Sequence, residues 1–268
     1  MISAGVLGSP ISHSLSPLLH RTAYEILGVQ ATYNAYEVGS GRLSQFLASE
    51  GSELNALSLT MPLKEEALDI ADFVSAISLQ IASGNTLHKL DSKWHLTSTD
   101  VEGFVHALAT NGVSAQGNIL IIGSGATARA VAAACDGVSQ SITIIHRSQS
   151  RVESMRIAAP NLPLKFVLWD STVDFGSYDL IINTTPGDTA SIFLDKISSG
   201  LGSFFEVLYN PFPTAMLSRW REEGNIGIDG LDLLIHQAIS QVEIFALLPV
   251  NRAQMSRSLR QIGEKALS

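Results

Sequence analysis

Apolar and polar positions follow two different periods along this chain, and the period switches at short intervals. Short apolar or alternating stretches at residues 3–7, 32–38, 54–59, 81–88 and 94–97 predict strands. Between them, Leu18, Leu19, Ala23, Ile26 and Leu27 recur at helical spacing over residues 17–27 and stop at Gly28. Shorter helical segments are expected at 43–49 and from 61 to about 70. The last two strands pair around a turn near Asp91 and Ser92. The result is an α/β unit with several parallel strands, whose C-terminal ends lead into loops carrying Ser14, Thr60 and Lys64. Ser16 and Pro17 read as N-cap and first residue of a helix. Thr99 and Glu102 read as a capping box, starting a helix at Asp100 that carries the chain onward.

A second unit opens at residues 118–130, NILIIGSGATARA. Ile119 to Ile122 form a continuous apolar run, as expected of a strand covered on both faces. Gly123-Ser124-Gly125-Ala126-Thr127-Ala128 then supplies the G-x-G-x-x-A turn before a helix, the dinucleotide-binding fingerprint in its required context. Gly123 permits the sharp turn, and Gly125 has no Cβ to hold a pyrophosphate away from the backbone. Ala128 allows close packing of helix on strand, and the unpaired N–H groups of the helix start face the anion. The same pattern also serves as a tight βα turn that binds nothing. Further strands are expected at 142–145, 164–168, 178–183, 204–208 and 226–228, with helices around 148–158 and 214–223. Two helical segments, 231–247 and 252–267, end the chain outside this alternation. The fold class is therefore α/β: an N-terminal unit of residues 1–99 completed by helices at 231–268, and a Rossmann-type doubly wound unit of residues 100–230. A chain that leaves one domain and returns to it is expected to frame a cleft between the two.

Cofactor choice is legible after the second strand of that unit. An NAD site places an acid roughly 20 residues past the glycines, on the ribose 2′-hydroxyl. Here the strand ends in His146-Arg147-Ser148, with Arg151 one turn on. An arginine fork meets a 2′-phosphate, so NADP is expected; the alternative is a pair of solvated loop arginines.

Composition narrows the class. The 268 residues are 46% hydrophobic and 16% charged, with a formal net charge of -8. That is a globular chain, and its charge argues against nucleic acid as the main partner. No apolar run approaches the ~20 residues of a membrane span. The start, MISAGVLGSPISHS, lacks a basic segment and a long apolar core, so a cytoplasmic protein is expected. Cys135 is the single cysteine, which excludes an intramolecular disulfide and predicts a small, buried, inert thiol. His13 and His146 have no partner at ligand spacing, so no metal site is expected.

Several loops, in order, carry a family resemblance: GSPISHSLSP near the start, LTMPLK at 59–64, SGNTL at 83–87, TSTD at 97–100, GSGATARA, HRS at 146–148, INTTPG at 182–187, YNPFPT at 209–214 and GLDLLIHQA at 230–238. The chain resembles shikimate dehydrogenases nearly end to end. The resemblance implies an NADP-linked enzyme that reduces 3-dehydroshikimate to shikimate, with Lys64 and Asp100 at the reacting centre. Ser14 and Ser16 would hold the substrate carboxylate beside helix N–H groups, while Thr60, Asn85 and Gln237, with Tyr209, would meet the rest of the substrate. Asn183 and Thr185 would line the nicotinamide-ribose side, and Gly230 belongs to the same cofactor set. From the residues alone, Lys64 could act as a neutral amine favoured by an opposing helix dipole, or as a permanent cation polarising the carbonyl.

Two positions depart from the family: it usually has asparagine where this chain has Ser58 and Ser98. Two rival readings remain, a quinate/shikimate dehydrogenase using NAD and a non-catalytic dinucleotide and shikimate sensor. The presence of both Lys64 and Asp100 speaks against a sensor. A monomer or a homodimer is compatible with the sequence.

Overall fold

Two six-stranded sheets organise the chain, one in each of two units: Met1–Gly103 with Leu234–Ser268, and Phe104–Leu233. The computed structural model describes residues 1–268. Both boundaries fall inside helices, a few residues later than the pattern of strands and turns indicates.

The first unit runs β1 (Ile2–Gly8), α1 (Ser16–Leu27), β2 (Ala31–Glu37), α2 (Leu43–Leu47), β3 (Ala56–Leu59), α3 (Leu63–Glu66), β4 (Phe73–Val74), α4 (Ala76–Gln80), β5 (Thr86–Leu90) and β6 (Lys93–Thr97) into α5 (Asp100–Thr110). Its sheet order is β2-β1-β3-β5-β6-β4. The first three strands are parallel, β3, β5 and β6 are antiparallel neighbours, and β4 lies parallel to β6. The β5–β6 hairpin turns on Asp91 and Ser92, both with positive φ, as a two-residue loop matching strand twist requires. Leu7, Leu57, Leu59, Leu87 and Leu96 form one core face with Leu43, Phe46 and Leu63. Each such side chain contributes on the order of 1.5–3 kcal/mol by burial.

Residues 81–85 correct the sequence expectation of a strand. Ile81 follows α4, whose N-cap Ser75 accepts a hydrogen bond from the Ser78 N–H, and the strand begins only at Thr86. A short apolar run does not separate a buried helix end from a strand, and here the Ser75 cap decided.

The second unit runs β7 (Asn118–Ile122), α6 (Ala126–Cys135), β8 (Ser141–His146), α7 (Val152–Ala158), β9 (Leu164–Leu168), β10 (Leu180–Asn183), β11 (Ser203–Glu206), α8 (Ala215–Glu222) and β12 (Gly227–Ile228). Its strands are all parallel, in the order β9-β8-β7-β10-β11-β12. That is the doubly wound dinucleotide-binding order, which reverses between β7 and β10. The run Ile119 to Ile122 is apolar throughout because both its faces are covered. Ile119 and Ile121 pack with Ala128, Val131 and Cys135 of α6, while Leu120 and Ile122 pack with Phe193, Leu217 and Trp220. Burial raises the Cys135 thiol to about 11, so it stays protonated and unreactive. A 3-10 stretch, Thr189–Lys196, has no counterpart in the sequence pattern.

The chain ends in α9 (Gly230–Ala246) and α10 (Arg252–Leu267); from Leu234 onward both belong to the first unit, where α10 packs on α1. No helix is long and apolar enough to cross a membrane.

Candidate functional site

In the first unit, Lys64 Nζ lies 2.6 Å from Asp100 Oδ2, and the two side chains are 15% and 9% exposed. Lys64 comes from α3, immediately after the Thr60-Met61-Pro62 turn, and Asp100 is the first residue of α5. Asp100 Oδ1 accepts a second hydrogen bond, at 2.8 Å, from Nδ2 of Asn85. Gly103 permits this convergence: a Cβ there would lie 2.9 Å from the backbone N of Gln237. The start of α5 therefore rests directly on α9, and Gln237 Oε1 comes within 3.2 Å of Asn85 Nδ2. Because α3 is only four residues long, its dipole has little to act with. What fixes the position of Lys64 is its ion pair with Asp100.

The half of the expected capping box in which Glu102 would accept from the Thr99 N–H is replaced. The Thr99 N–H donates to Asn85 Oδ1 at 2.8 Å, and the Glu102 carboxylate pairs with Arg252 at 3.1 Å and accepts from Ser240. A buried amide on a neighbouring loop outcompetes the local side chain, because Asn85 is held in place from behind.

That support is a buried polar chain that the sequence reading missed. Tyr33 Oη donates to Ser58 Oγ at 2.5 Å, and Ser58 Oγ donates to Gln241 Oε1 at 2.7 Å. Gln241 Nε2 donates to the Asn85 carbonyl and to Thr86 Oγ1, both at 3.0 Å, and Thr86 Oγ1 donates to Asn85 Oδ1 at 2.8 Å. His20, stacked on Tyr33 with ring centroids 4.1 Å apart, lies 3.2 Å from Gln241 Oε1 through Nε2. Burial drives its pKa down to about 3, outweighing the Gln241 hydrogen bond, so the ring is neutral. The one signal in the sequence that could have pointed here is the four-residue spacing of Gln237 and Gln241 on an apolar helix. The departures from the family pattern also find their places. Ser58 is consumed within this chain, whereas the buried Ser98 hydroxyl has no hydrogen-bond partner and gives Asp100 no support.

Ser14 and Ser16 meet at the start of α1, one residue out of the expected frame. Leu15 holds the N-cap position without a side-chain cap, Ser16 is helical, and Ser14 Oγ accepts the Ser16 N–H at 3.3 Å. Thr60 is half-buried in the turn between β3 and α3, with its N–H on the Leu7 carbonyl.

In the second unit, the glycine turn sits at the reversal of strand order. Gly123 has φ +114, and a Cβ there would lie 2.4 Å from Thr184 Oγ1. Only glycine fits that contact and that conformation. Gly125 is the exposed N-cap of α6, and a Cβ there would meet nothing within 4 Å. Ser124, Ala126 and Thr127 are partly exposed around this open cradle, as a dinucleotide phosphate would require.

At the end of β8, Arg147 is exposed with its guanidinium 5.6 Å from the Trp169 ring centroid; Ser148 and Arg151 are also exposed. His146 is different: it is buried edge-on against Phe166, with Nδ1 3.1 Å from the Ser148 carbonyl. Asn183 and Thr185 are buried as well. Asn183 Oδ1 accepts from the Thr185 N–H and hydroxyl, while Nδ2 donates to both oxygens of Glu206. Glu206 also accepts from Thr214 Oγ1 and the Leu208 N–H. Burial pushes its carboxyl above the usual range despite these donors. Tyr209 is half-buried beyond β11, and Gly230 sits where a Cβ would lie 2.3 Å from the Val207 carbonyl.

A parallel sheet in this order with a glycine turn at its reversal, and a shielded Lys64–Asp100 ion pair in a unit with a separate mixed sheet, define a two-unit α/β protein of the nucleotide-binding class. Comparison with known proteins makes that class specific. The model of the shikimate dehydrogenase substrate binding domain matches residues 6–87. Shikimate dehydrogenase (NADP(+)) of Oleidesulfovibrio alaskensis is 33% identical over 251 residues, 90% of this chain and 88% of that protein. The Mycobacterium tuberculosis shikimate dehydrogenase structure is 30% identical with a TM-score of 0.86, over 98% of this chain and all (100%) of that one. The Thermus thermophilus shikimate 5-dehydrogenase, solved with NADP(H) and shikimate, is 27% identical with a TM-score of 0.83, over 98% and 100%. This chain belongs to the shikimate dehydrogenase family.

Proposed function

We propose that this chain catalyses the reversible, NADP-linked reduction of 3-dehydroshikimate to shikimate. Its relatives carry that activity in their names, and one solved neighbour holds NADP(H) and shikimate together. The observation that carries the reading is the Lys64–Asp100 ion pair, with Asn85 donating to the other carboxylate oxygen.

NADP supplies or removes the hydride when bound. The open cradle at Gly125 fits its pyrophosphate, and Arg147, Ser148 and Arg151 are the exposed donors for a 2′-phosphate. The residues of the first unit have the remaining work. Ser14 and Ser16, at the start of a 12-residue helix, offer hydroxyl and N–H donors to the substrate carboxylate. Lys64 is held by Asp100 on one side, and its remaining N–H donors serve the substrate oxygen. In the reducing direction it gives that oxygen a proton; in the oxidising direction it takes one back. Asp100 keeps the amine oriented and stabilises its charge. Asn85 has its amide committed to Asp100 and Thr99, so its part is to orient Asp100.

The test is an absorbance assay with the purified protein, pairing shikimate or quinate with NADP or NAD in turn. Turnover is expected with shikimate and NADP. A preference for quinate with NAD would favour the quinate/shikimate variant, and binding of shikimate without turnover would mark a sensor.

A further inference from the structure

We infer that Thr86 and Gln241 are positioning residues for Asp100, acting through the carboxamide of Asn85; the inference rests on the oxidoreductase reading above. Asn85 can face Asp100 in two ways. As found, Nδ2 points at Asp100 Oδ1 from 2.8 Å and donates to it. Flipped, the amide would set its own oxygen against a carboxylate oxygen, two acceptors with no proton between them.

Two backbone groups, whose polarity is fixed by chemistry, decide the orientation. The Thr99 N–H can only donate, and it faces Asn85 Oδ1 at 2.8 Å. The Asn85 carbonyl can only accept, so the group of Gln241 that lies 3.0 Å from it is Nε2. The second N–H of that same amide meets Thr86 Oγ1 at 3.0 Å. With its oxygen accepting there, Thr86 directs its own proton to Asn85 Oδ1, 2.8 Å away. Asn85 Oδ1 then faces three donors, the third being the Thr99 hydroxyl at 3.2 Å, and only its NH₂ is left for the carboxylate.

The far end of the chain agrees. Gln241 Oε1 faces Ser58 Oγ and His20 Nε2, and Ser58 in turn accepts from Tyr33. Every link from Tyr33 to Asp100 is a donor meeting an acceptor in one direction. Asn85, Thr86 and Gln241 are all buried, so water cannot substitute for a lost link. Neither Thr86 nor Gln241 forms a hydrogen bond to Asp100 or Lys64. Their contribution is that Asp100 Oδ1 is occupied by a donor and Oδ2 is left for the lysine.

Thr86→Val keeps the shape and β-branching of the side chain and removes its hydroxyl; Thr86→Ser restores it. The expected result for Thr86→Val is a fall in kcat of about tenfold, the equivalent of one neutral hydrogen bond. KM for shikimate should change less than kcat. The NADPH affinity, read by fluorescence titration, should be unchanged. Thr86→Ser should return kcat to within about threefold of wild type. Gln241→Met, which deletes the donor one link back, should lower kcat in the same way. An unchanged kcat in Thr86→Val, or equal losses in the Val and Ser variants, would overturn the inference. Wild-type turnover in the same assay separates the two levels: a silent wild type overturns the functional reading, and an active one with an indifferent Thr86 overturns this inference alone.

Discussion

Lys64 and Asp100, 36 positions apart in sequence, form an ion pair of 2.6 Å in a setting that leaves both largely shielded from solvent. Because Asp100 is simultaneously held by Asn85, the pair has a defined geometry before any substrate arrives. Lys64→Ala is therefore expected to lower kcat at least ~100-fold, with a much smaller effect on KM. Asp100→Asn should lower kcat as well. The double variant should lose less than the two losses added, since each single change already breaks the unit. Steady-state kinetics on the three variants decides this, and strictly additive losses would show two independent roles.

Ser14 and Ser16 lie at the start of α1, where Ser14 Oγ accepts the Ser16 N–H. Ser14→Ala and Ser16→Ala should each weaken shikimate binding by about 0.5–1.5 kcal/mol for a neutral hydrogen bond, or ~1.5–3 kcal/mol if the hydroxyl serves the carboxylate directly. NADP affinity should stay where it is. A double variant with normal KM for shikimate would remove the carboxylate site from this end of the helix.

Arg147 stands exposed over Trp169 and forms no ion pair. Its replacement by alanine should cost NADP about 1.5–3 kcal/mol of binding, as for a hydrogen bond to a charged group, while NAD changes little. Parallel titrations with the two cofactors measure the narrowing directly. Equal losses would assign Arg147 to some feature the cofactors share.

Gly123 combines φ +114 with a Cβ position 2.4 Å from Thr184 Oγ1. Gly123→Ala is expected to destabilise the fold by about 1–3 kcal/mol and to weaken cofactor binding by displacing the 184–185 loop. Gly125→Ala meets no such clash, so its loss should appear in cofactor affinity with little change in melting temperature. Thermal denaturation beside NADPH titration distinguishes the two glycines.

His20 makes stability depend on pH. Its folded pKa is lowered from 6.5 to about 3 by burial, so between those values the unfolded chain binds a proton that the folded one refuses. Stability from this group is complete above about pH 6.5 and is lost as pH falls, at up to ~1.4 kcal/mol per pH unit, until about pH 3. His20→Gln, which keeps a donor for Gln241, should flatten that slope. Denaturant melts between pH 7 and 4 should show the two proteins converging as the pH drops; parallel curves would mean that His20 does not titrate in this window.

The α/β alternation, the glycine turn between β7 and α6 and the arginines after β8 are written in the sequence. These features are legible because each is local: an apolar run, a missing Cβ, a charge at a set distance from a turn. It also named Lys64, Asp100, Asn85 and Gln237 through the family's short loops, though not what each would touch. Tertiary structure settled that Asn85, on another loop, takes the Thr99 N–H in place of Glu102. It alone placed His146 inside the core and turned Asn183 toward Glu206, because burial is set by what packs overhead. The same holds for Tyr33, Ser58, Thr86 and Gln241, which come from a strand edge, a strand centre, a hairpin and the penultimate helix. A hydrogen-bond chain joining four distant segments leaves no period in a sequence, and it exists only once the sheet brings their polar atoms within about 3 Å.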